Sequence, residues 1–360
     1  MPPRSLYETA GQVLVVGYEG SEPASELCER AQGGALGGFI LFKRNLGNAA
    51  EVAALTAGLR GFFPAELPPF IAIDQEGGRV ARLGSPVVRL PAARVLGDLD
   101  DPGLTHEAGA VLGRQLAWLG INLDFAPVLD VASNPTNPVI GDRSYGDHAA
   151  RVIRHARAFA AGLASASITT CGKHFPGHGD TSLDSHHALP RLPHDEARLR
   201  QIELAPFAAL AAELPCIMTA HVVFEAWDPA VPATLSSRVV TGLLREELGF
   251  GGLIFSDDME MKAIAGEYGL DEAACRAIEA GCDTLLVCSK LDYVVQAHRG
   301  LVQRAERDAA FAARLEQAAR RSLAARKSQT SHARPPDDVT ALLERSSAEF
   351  EARLSRARMV

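Results

Sequence analysis

Short apolar runs that alternate with helical segments are the feature of this sequence that most constrains its fold. Each run is typical of a strand buried on both faces. The eight runs span residues 12–19, 37–42, 70–76, 121–130, 167–175, 216–224, 252–258 and 283–289. Helical segments such as HEAGAVLGRQLAWLG lie between most of them. The alternation predicts an α/β fold, a single parallel (β/α)8 barrel, although a doubly wound open sheet shows the same order.

Charged and polar side chains stand where these predicted strands end. Asp74, Asp130, Lys173 with His174, and Asp257 close four of the runs, and His221 lies within a fifth. A barrel enzyme keeps its chemistry at the carboxyl ends of its strands. We therefore expect these side chains to share one site.

The segment CGKHFPGHGDTSLDSHHALP, residues 171–190, concentrates ionisable groups in a stretch without helical or extended periodicity, so it is predicted to be a loop. Its histidines and aspartates are suitable metal ligands. Alternatively, Asp184 and His186 form a proton-transfer dyad in which the carboxylate orients the imidazole. A polar loop of hydrogen-bonded histidines is the third interpretation. The residues alone do not separate the dyad from the metal site.

Within this loop, KHFPGHGDTSLDSHHALP resembles the signature of the family 3 glycoside hydrolases, and it is most similar to the β-N-acetylglucosaminidases of bacterial cell-wall recycling. Four further stretches agree in the order of the family. They are GGFILFKRN, IDQEGGRVARL, LDFAPVLDV followed by IGDRSYG, and GFGGLIFSDDMEM. The resemblance covers about residues 10–300 and implies the barrel.

The resemblance also implies the catalytic residues. The nucleophile of the family corresponds to Asp257, the first aspartate of SDD, in preference to Asp258. The proton donor of this branch corresponds to His186 paired with Asp184, in preference to His187. An imidazole titrates near neutrality and can both donate and accept the proton.

Five further residues are implied as sugar ligands: Asp74, Arg82, Arg143, Lys173 and His174. Alternatively, Asp74 caps the end of a strand, the two arginines form surface ion pairs, and Lys173 and His174 are a packed polar pair in the core. Arg79 competes with Arg82 in the same stretch, and His178 and Asp180 are expected to fold the loop. No phosphate-binding or dinucleotide fingerprint occurs, so a nucleotide cofactor is not expected. The resemblance implies neither another cofactor nor a bound metal.

Composition limits the classes of partner. The formal net charge of −8 argues against nucleic acid, because phosphate binding needs a basic surface. The six cysteines have no paired spacing, which favours free thiols in a reducing compartment. The first residues lack the apolar core of a signal peptide, and no run is long enough to span a bilayer. We expect a cytoplasmic protein without a membrane partner.

The predicted domain organisation has three parts: a barrel over 1–326, a polar linker over 327–338 and a mixed-charge helix over 339–360. The linker KSQTSHARPPDD contains two prolines. The helix is expected to pack on the barrel or on a partner. A monomer is the expected state, with a dimer as the alternative.

The resemblance implies an exo-acting retaining β-N-acetylhexosaminidase that releases N-acetylglucosamine from muropeptides. The first rival is a metal-dependent hydrolase on the same barrel, with His174, His178, His186 and Asp257 as ligands. The further rivals are a catalytically silent sugar-binding barrel, a phosphorolytic variant and a β-glucosidase.

Overall fold

The computed structural model describes residues 4–182, 189–329, 336 and 338–359. Its strands are β1 (Leu14–Val16), β2 (Gly38–Leu41), β3 (Phe70–Ile73), β4 (Leu123–Asp124), β5 (Thr169–Phe175), β6 (Arg191–Leu192), β7 (Cys216–Thr219), β8 (Val223–Phe224), β9 (Leu253–Asp258) and β10 (Thr284–Val287). Its α-helices are α1 (Leu6–Gln12), α2 (Ser25–Gln32), α3 (Ala49–Gly61), α4 (Ala93–Leu99), α5 (Pro102–Trp118), α6 (Ala149–Ser165), α7 (Glu196–Gln201), α8 (Ala205–Leu210), α9 (Lys262–Ala265), α10 (Leu270–Ala280), α11 (Leu291–Arg307), α12 (Ala309–Lys327) and α13 (Val339–Ala357). A π-helical segment spans Arg238–Glu247, and short 3₁₀ turns span Lys43–Asn45, Gly141–Arg143 and Ala233–Leu235. None of these described helices is long and apolar enough to cross a membrane.

Eight of the strands close a parallel barrel in the order β1-β10-β9-β7-β5-β4-β3-β2. The prediction of a (β/α)8 barrel is confirmed, and the open-sheet alternative is wrong. Closure pairs every barrel strand on both sides, so the barrel has no free edge. Because the strands are parallel, their carboxyl ends meet at one rim, and the loops that follow them surround a single site.

Two predicted strands differ in length from the structure. The run 216–224 divides into β7, which belongs to the barrel, and β8, which pairs with β6 outside it. His221 lies between the two, so the prediction that it is a strand residue is wrong. The run 121–130 forms only the two-residue strand β4, and its pairing with β5 resumes after Pro127 as an isolated parallel bridge between Val128 and Lys173. Asp130 consequently lies beyond the end of β4.

The interior of the barrel is an apolar layer below the carboxyl rim. The ring centroid of Phe255 lies 5.3 Å from that of Phe125 and 5.6 Å from that of Phe70. Aliphatic and sulfur-containing side chains complete this layer: Val15, Ile40, Ala72, Leu123, Cys171, Cys216, Met218, Leu253, Leu286 and Cys288. Side chains therefore fill the barrel, and a ligand can enter only from the rim.

The opposite end of the barrel is covered by α12. Its buried Arg326 donates to the carbonyl oxygen of Pro68 at 3.1 Å and to that of Gly37 at 3.2 Å, just before β3 and β2 begin. The same guanidinium donates to Gln12 Oε1 at 2.6 Å, close to the start of β1. Burial lowers the pKa of Arg326 to about 9.

The helix α13 packs on α5 and α3, on the outer face of the barrel. Gln115 of α5 donates to Ser346 Oγ at 2.5 Å and to Ser347 Oγ at 3.0 Å, while Phe350 is buried below them. The helix therefore has an apolar face that the barrel covers. The predicted domain division stays a prediction, since most of the segment 327–338 lies outside the described residues.

If α13 folds as one unit with the barrel, Phe350→Ala lowers the free energy of unfolding by about 3–5 kcal/mol, because a large side chain is removed from a packed site. Urea unfolding is expected to remain a single transition. The control is Arg353→Ala on the same helix, which removes a half-exposed ion pair with Glu107 worth less than about 1 kcal/mol. A separate early transition, or equal effects of both variants, would show that the helix is only loosely attached.

Candidate active site

A cavity of about 240 Å³ opens at the carboxyl ends of the barrel strands. The structure describes six of the predicted site residues, and all six line this cavity: Asp74, Arg82, Arg143, Lys173, His174 and Asp257. The remaining two, Asp184 and His186, lie outside the described residues, as does His187. Ile40, Met218 and Leu286 of the interior layer also line the cavity, so its inner end is closed and apolar.

Each side chain reaches the cavity because of its place in the barrel. Asp74 directly follows β3, Lys173 and His174 lie near the end of β5, and Asp257 is the penultimate residue of β9. Arg143 ends a 3₁₀ turn in the connection from β4 to α6. Residues at strand ends have rigid backbones, which suits groups that must meet a substrate in a fixed geometry.

Lys173 stands between two carboxylates. Its ammonium group donates to Asp74 Oδ1 at 2.7 Å and lies 2.6 Å from Glu76 Oε1. Burial opposes the charge of Lys173, but Asp74 and Glu76 outweigh it and hold the pKa of the lysine above its ordinary value. Lys173 is therefore a permanent cation beside the cavity. Arg82 approaches the other oxygen of Asp74 at 3.6 Å.

His174 is oriented by a buried carboxylate. Its Nδ1–H donates to Asp130 Oδ2 at 2.7 Å, and the backbone N–H of His178 donates to Asp130 Oδ1 at 2.6 Å. Because Nδ1 is occupied, Nε2 is the ring atom left for a ligand, and Arg143 Nη2 lies 3.5 Å from it. Asp130 thus determines which nitrogen of His174 can meet a substrate.

The neighbours Asp257 and Asp258 have opposite electrostatic surroundings. Burial alone raises the pKa of Asp257, yet His174, His221 and the Asp258 N–H together hold that pKa below its ordinary value. Burial and the nearby Glu260 carboxylate raise the pKa of Asp258 to about 7. A carboxylate nucleophile must be ionised, so this difference favours Asp257 over Asp258.

Asp258 has a structural position at the end of β9. Its Oδ1 accepts from the backbone N–H of Glu260 at 3.0 Å and from that of Cys288 at 3.3 Å. Its carbonyl oxygen accepts from His221 Nε2 at 2.9 Å. The fully buried His221 therefore holds the backbone next to Asp257.

Arg79, the rival of Arg82, also lines the cavity but faces the connection from β4 to α6. Its Nε donates to Asp142 Oδ1 at 2.9 Å, and its Nη2 donates to the Val139 carbonyl oxygen at 2.5 Å. These contacts fix the segment that carries Arg143. Arg79 and Arg82 thus bind different partners although only two residues separate them.

From the sequence, Asp130 was expected at a strand end in the site but without a specific role, and Glu76 was not singled out. A signal for Glu76 was present in the composition of the predicted site: Arg82, Arg143 and Lys173 are three cations that need buried counter-charges. Asp74 and Asp257 alone do not supply enough of them. Glu76, two residues after Asp74, is a candidate for this counter-charge. Whether its side chain points toward the cations depends on the backbone turn that follows, which the sequence pattern does not reveal.

The described residues contain no group of three His, Cys, Asp or Glu side chains arranged to hold a metal ion. His186, which the alternative metal set requires, lies outside the described part of the chain. His178 lines the cavity, and burial lowers its pKa to about 4, so its imidazole is neutral near pH 7.

Residues 5–325 match the model of the glycosyl hydrolase family 3 N-terminal domain. This chain belongs to glycosyl hydrolase family 3. It is 41% identical over 288 residues to a β-hexosaminidase of Alkalilimnicola ehrlichii. The alignment covers 77% of this chain and 80% of that protein.

Solved structures of family 3 proteins agree with the whole fold. The β-N-acetylglucosaminidase of Paenibacillus sp. FPU-7 superposes with a TM-score of 0.87 and 40% identity, over 97% of this chain and 69% of that one. NagZ from Neisseria gonorrhoeae, in complex with N-trifluoroacetyl-D-glucosamine, superposes with a TM-score of 0.78 and 33% identity, over 96% of each chain. The family expected from the sequence motifs is confirmed.

The contrast between the two aspartates of this family 3 chain predicts a pH-dependent effect of Asp258→Asn. The folded pKa of Asp258, about 7, exceeds the unfolded value, so the carboxyl group stabilises the fold fully below about pH 4 and loses this contribution as the pH rises through 7. Asparagine cannot ionise. Relative to the native protein, the variant is expected to gain roughly 1–3 kcal/mol between pH 5 and pH 8.

The measurement is denaturant unfolding at both pH values. Asp257→Asn is the matched control, because the lowered pKa of Asp257 leaves that group ionised in the folded and unfolded states throughout this range. Its difference from the native protein should therefore change less with pH than that of Asp258→Asn, and the remaining change reflects loss of the Asp257 charge beside Asp258. Parallel stability curves for Asp258→Asn and the native protein would contradict the assignment.

Proposed function

We propose that this protein is an exo-acting retaining β-N-acetylhexosaminidase that removes terminal β-linked N-acetylglucosamine. Its relatives include the β-hexosaminidase and the β-N-acetylglucosaminidase described above. The observation that carries the proposal is the cavity, which is closed at its inner end and gathers an ionised carboxylate with a set of fixed donors and acceptors. A closed cavity admits the end of a chain, which favours exo cleavage.

In the proposed reaction, Asp257 is the nucleophile. One of its carboxylate oxygens attacks the anomeric carbon as the bond to the leaving oxygen breaks, giving a glycosyl-enzyme ester. Water then attacks the same carbon and releases Asp257 as a carboxylate. Two displacements on opposite faces retain the β configuration. The lowered pKa of Asp257 supports this role, because the carboxylate is ready to attack at neutral pH.

The proton donor in this proposal is His186, oriented by Asp184. The imidazolium gives its proton to the leaving oxygen in the first step, and the neutral imidazole accepts a proton from water in the second. This assignment rests on the family motif. A neutral base also avoids a second negative charge beside Asp257.

The sugar ligands divide by chemistry. Asp74 accepts hydrogen bonds from hydroxyl groups, while Arg82, Arg143 and Lys173 donate them. His174 presents Nε2, since its Nδ1 is bound to Asp130. Lys173 and Arg143 are nearly buried, so little reorganisation is needed when a sugar enters.

We infer the natural substrate to be N-acetylglucosamine linked to anhydro-N-acetylmuramic acid, in muropeptides of the cytoplasm. The motif resemblance to the cell-wall recycling enzymes supports this substrate. All six cysteines are free and five of them are buried, which supports a reducing compartment. A monomer is the proposed functional unit.

The test of the function is release of p-nitrophenol from the β-N-acetylglucosaminide and the β-glucoside, with and without EDTA. Efficient, EDTA-insensitive cleavage of the acetylated compound is expected, and Asp257→Ala should reduce it by at least about 10⁴-fold because the glycosyl-enzyme can no longer form. Asp258→Asn keeps its backbone hydrogen bonds and should retain measurable turnover. EDTA-sensitive activity, preference for glucose, or an active Asp257→Ala variant would overturn the proposal.

The proposed acid/base dyad predicts a dependence on the leaving group. His186→Ala should reduce kcat/KM strongly for a disaccharide, by about 10²–10⁴-fold, because its leaving oxygen needs a proton. The loss should be smaller for the p-nitrophenyl compound, whose leaving group departs as an anion. His187→Ala is the matched control on the adjacent histidine. Equal rates of His186→Ala and native enzyme on the disaccharide would refute the dyad.

A further inference from the structure

Glu76 is a buried carboxylate that contacts two of the proposed sugar ligands but does not itself line the cavity among the described residues. It accepts from Arg143 through both oxygens, at 2.7 Å from Nη2 and 2.8 Å from Nε. Its Oε1 also lies 2.6 Å from Lys173 Nζ. Burial raises the pKa of Glu76, but Arg143 and Lys173 outweigh this and hold the pKa far below its ordinary value.

These contacts make Glu76 the centre of a chain of alternating charges. The order is Arg143, Glu76, Lys173, Asp74, Arg82. The bidentate contact fixes the plane of the Arg143 guanidinium, which a single hydrogen bond would leave free to rotate. Without Glu76, Lys173 would keep Asp74 as its one described carboxylate contact, and Arg143 would keep no described carboxylate contact.

The backbone holds Glu76 firmly in this position. The N–H groups of Glu76 and Gly77 both donate to the Val80 carbonyl oxygen, at 3.0 and 3.1 Å. Gly77 and Gly78 have φ angles of +103° and +54°, which glycine adopts without strain. A Cβ at Gly77 would lie 2.6 Å from the Pro91 carbonyl oxygen. The turn is therefore specific to the glycine pair in QEGGRV.

Gln75 fixes the same turn from the other side. Its N–H donates to Asp124 Oδ1 at 2.9 Å, and its Oε1 accepts from the N–H of Arg82 at 2.7 Å and from that of Leu83 at 3.0 Å. The short segment from Asp74 to Arg82 thus supplies two proposed ligands and the carboxylate that orients two others.

We propose that Glu76 is a positioning residue for substrate recognition, which directs Lys173 and Arg143 at the sugar without contacting it. This inference rests on the proposed function, because it assigns the two cations to the sugar. A residue that acts in this way affects binding of the sugar. A residue with only a structural role lowers stability and the active fraction, and so changes the apparent kcat at constant KM.

The test compares Glu76→Gln with Asp283→Asn. Asp283 is a matched control because it is also a fully buried carboxylate with several cations, bound to Arg245, to Arg314 at 3.1 Å and to Arg321 at 3.4 Å. It directly precedes β10, at the end of the barrel opposite to the cavity. Both variants should unfold at lower denaturant concentration than the native protein.

Of these two variants, only Glu76→Gln should weaken binding of the sugar. Its KM for p-nitrophenyl β-N-acetylglucosaminide, and the inhibition constant of free N-acetylglucosamine, are expected to rise by roughly 10- to 100-fold, the range of lost hydrogen bonds to charged groups. Glu76→Asp keeps the charge but shortens the side chain. It should give a smaller rise in KM, and it provides the same readout if the glutamine variant does not fold.

A double-mutant cycle tests whether the effect passes through Lys173. In a Lys173→Met background, the further change caused by Glu76→Gln should be several-fold smaller than in the native background. Fully additive effects, or KM values of both Glu76 variants within twofold of the native value, would overturn the positioning role while leaving the proposed function intact. A native protein that does not cleave the N-acetylglucosaminide would overturn the proposed function, and this inference with it.

Discussion

Compensation of buried charge is the constraint on which the site depends. The apolar layer around Phe255 closes the barrel directly below the cavity, so the cations above it are poorly hydrated. A buried cation is tolerated only when carboxylates and hydrogen bonds replace the lost water. Asp74 and Glu76 meet this need for Lys173, and Glu76 meets it for Arg143. The same contacts that compensate these charges also orient the side chains, so the stability of the site and its proposed recognition of a sugar depend on one set of interactions.

The fold was predictable because its determinants are local and repeated. All eight barrel strands correspond to apolar runs in the sequence, and closure follows once these strands alternate with helices. The exceptions have identifiable physical causes. The regular pairing of β4 stops at Asp124 and resumes only as one bridge at Val128, with Pro127, which has no N–H to donate, between them. The pairing of β8 with β6 draws residues after β7 away from the barrel. Neither the effect of one missing N–H nor a pairing between distant short segments can be read from periodicity.

The residues that line the candidate site were predictable from the sequence, but the hydrogen bonds and ion pairs between them were not. Motif resemblance identified Asp74, Lys173 and Asp257, and the structure places them around one cavity. The side chains that contact them were harder to identify, because such contacts depend on where each side chain points in the folded structure. Asp130 stands at a predicted strand end and Glu76 has no distinguishing pattern in the sequence. Their roles become apparent only when their oxygens are seen to meet Arg143, Lys173 and His174.

The two aspartates at the end of β9 show how a strand can assign different chemistry to adjacent residues. Both side chains line the cavity, but their carboxyl groups lie among different neighbours. Asp257 meets the electrostatic influence of His174 and His221, whereas Asp258 accepts hydrogen bonds from the backbone next to β10 and lies near Glu260. One carboxyl group is therefore favoured as an anion and the other as a neutral acid. Both aspartates line the cavity, so it is the surroundings of their carboxyl groups that support Asp257 as the proposed nucleophile.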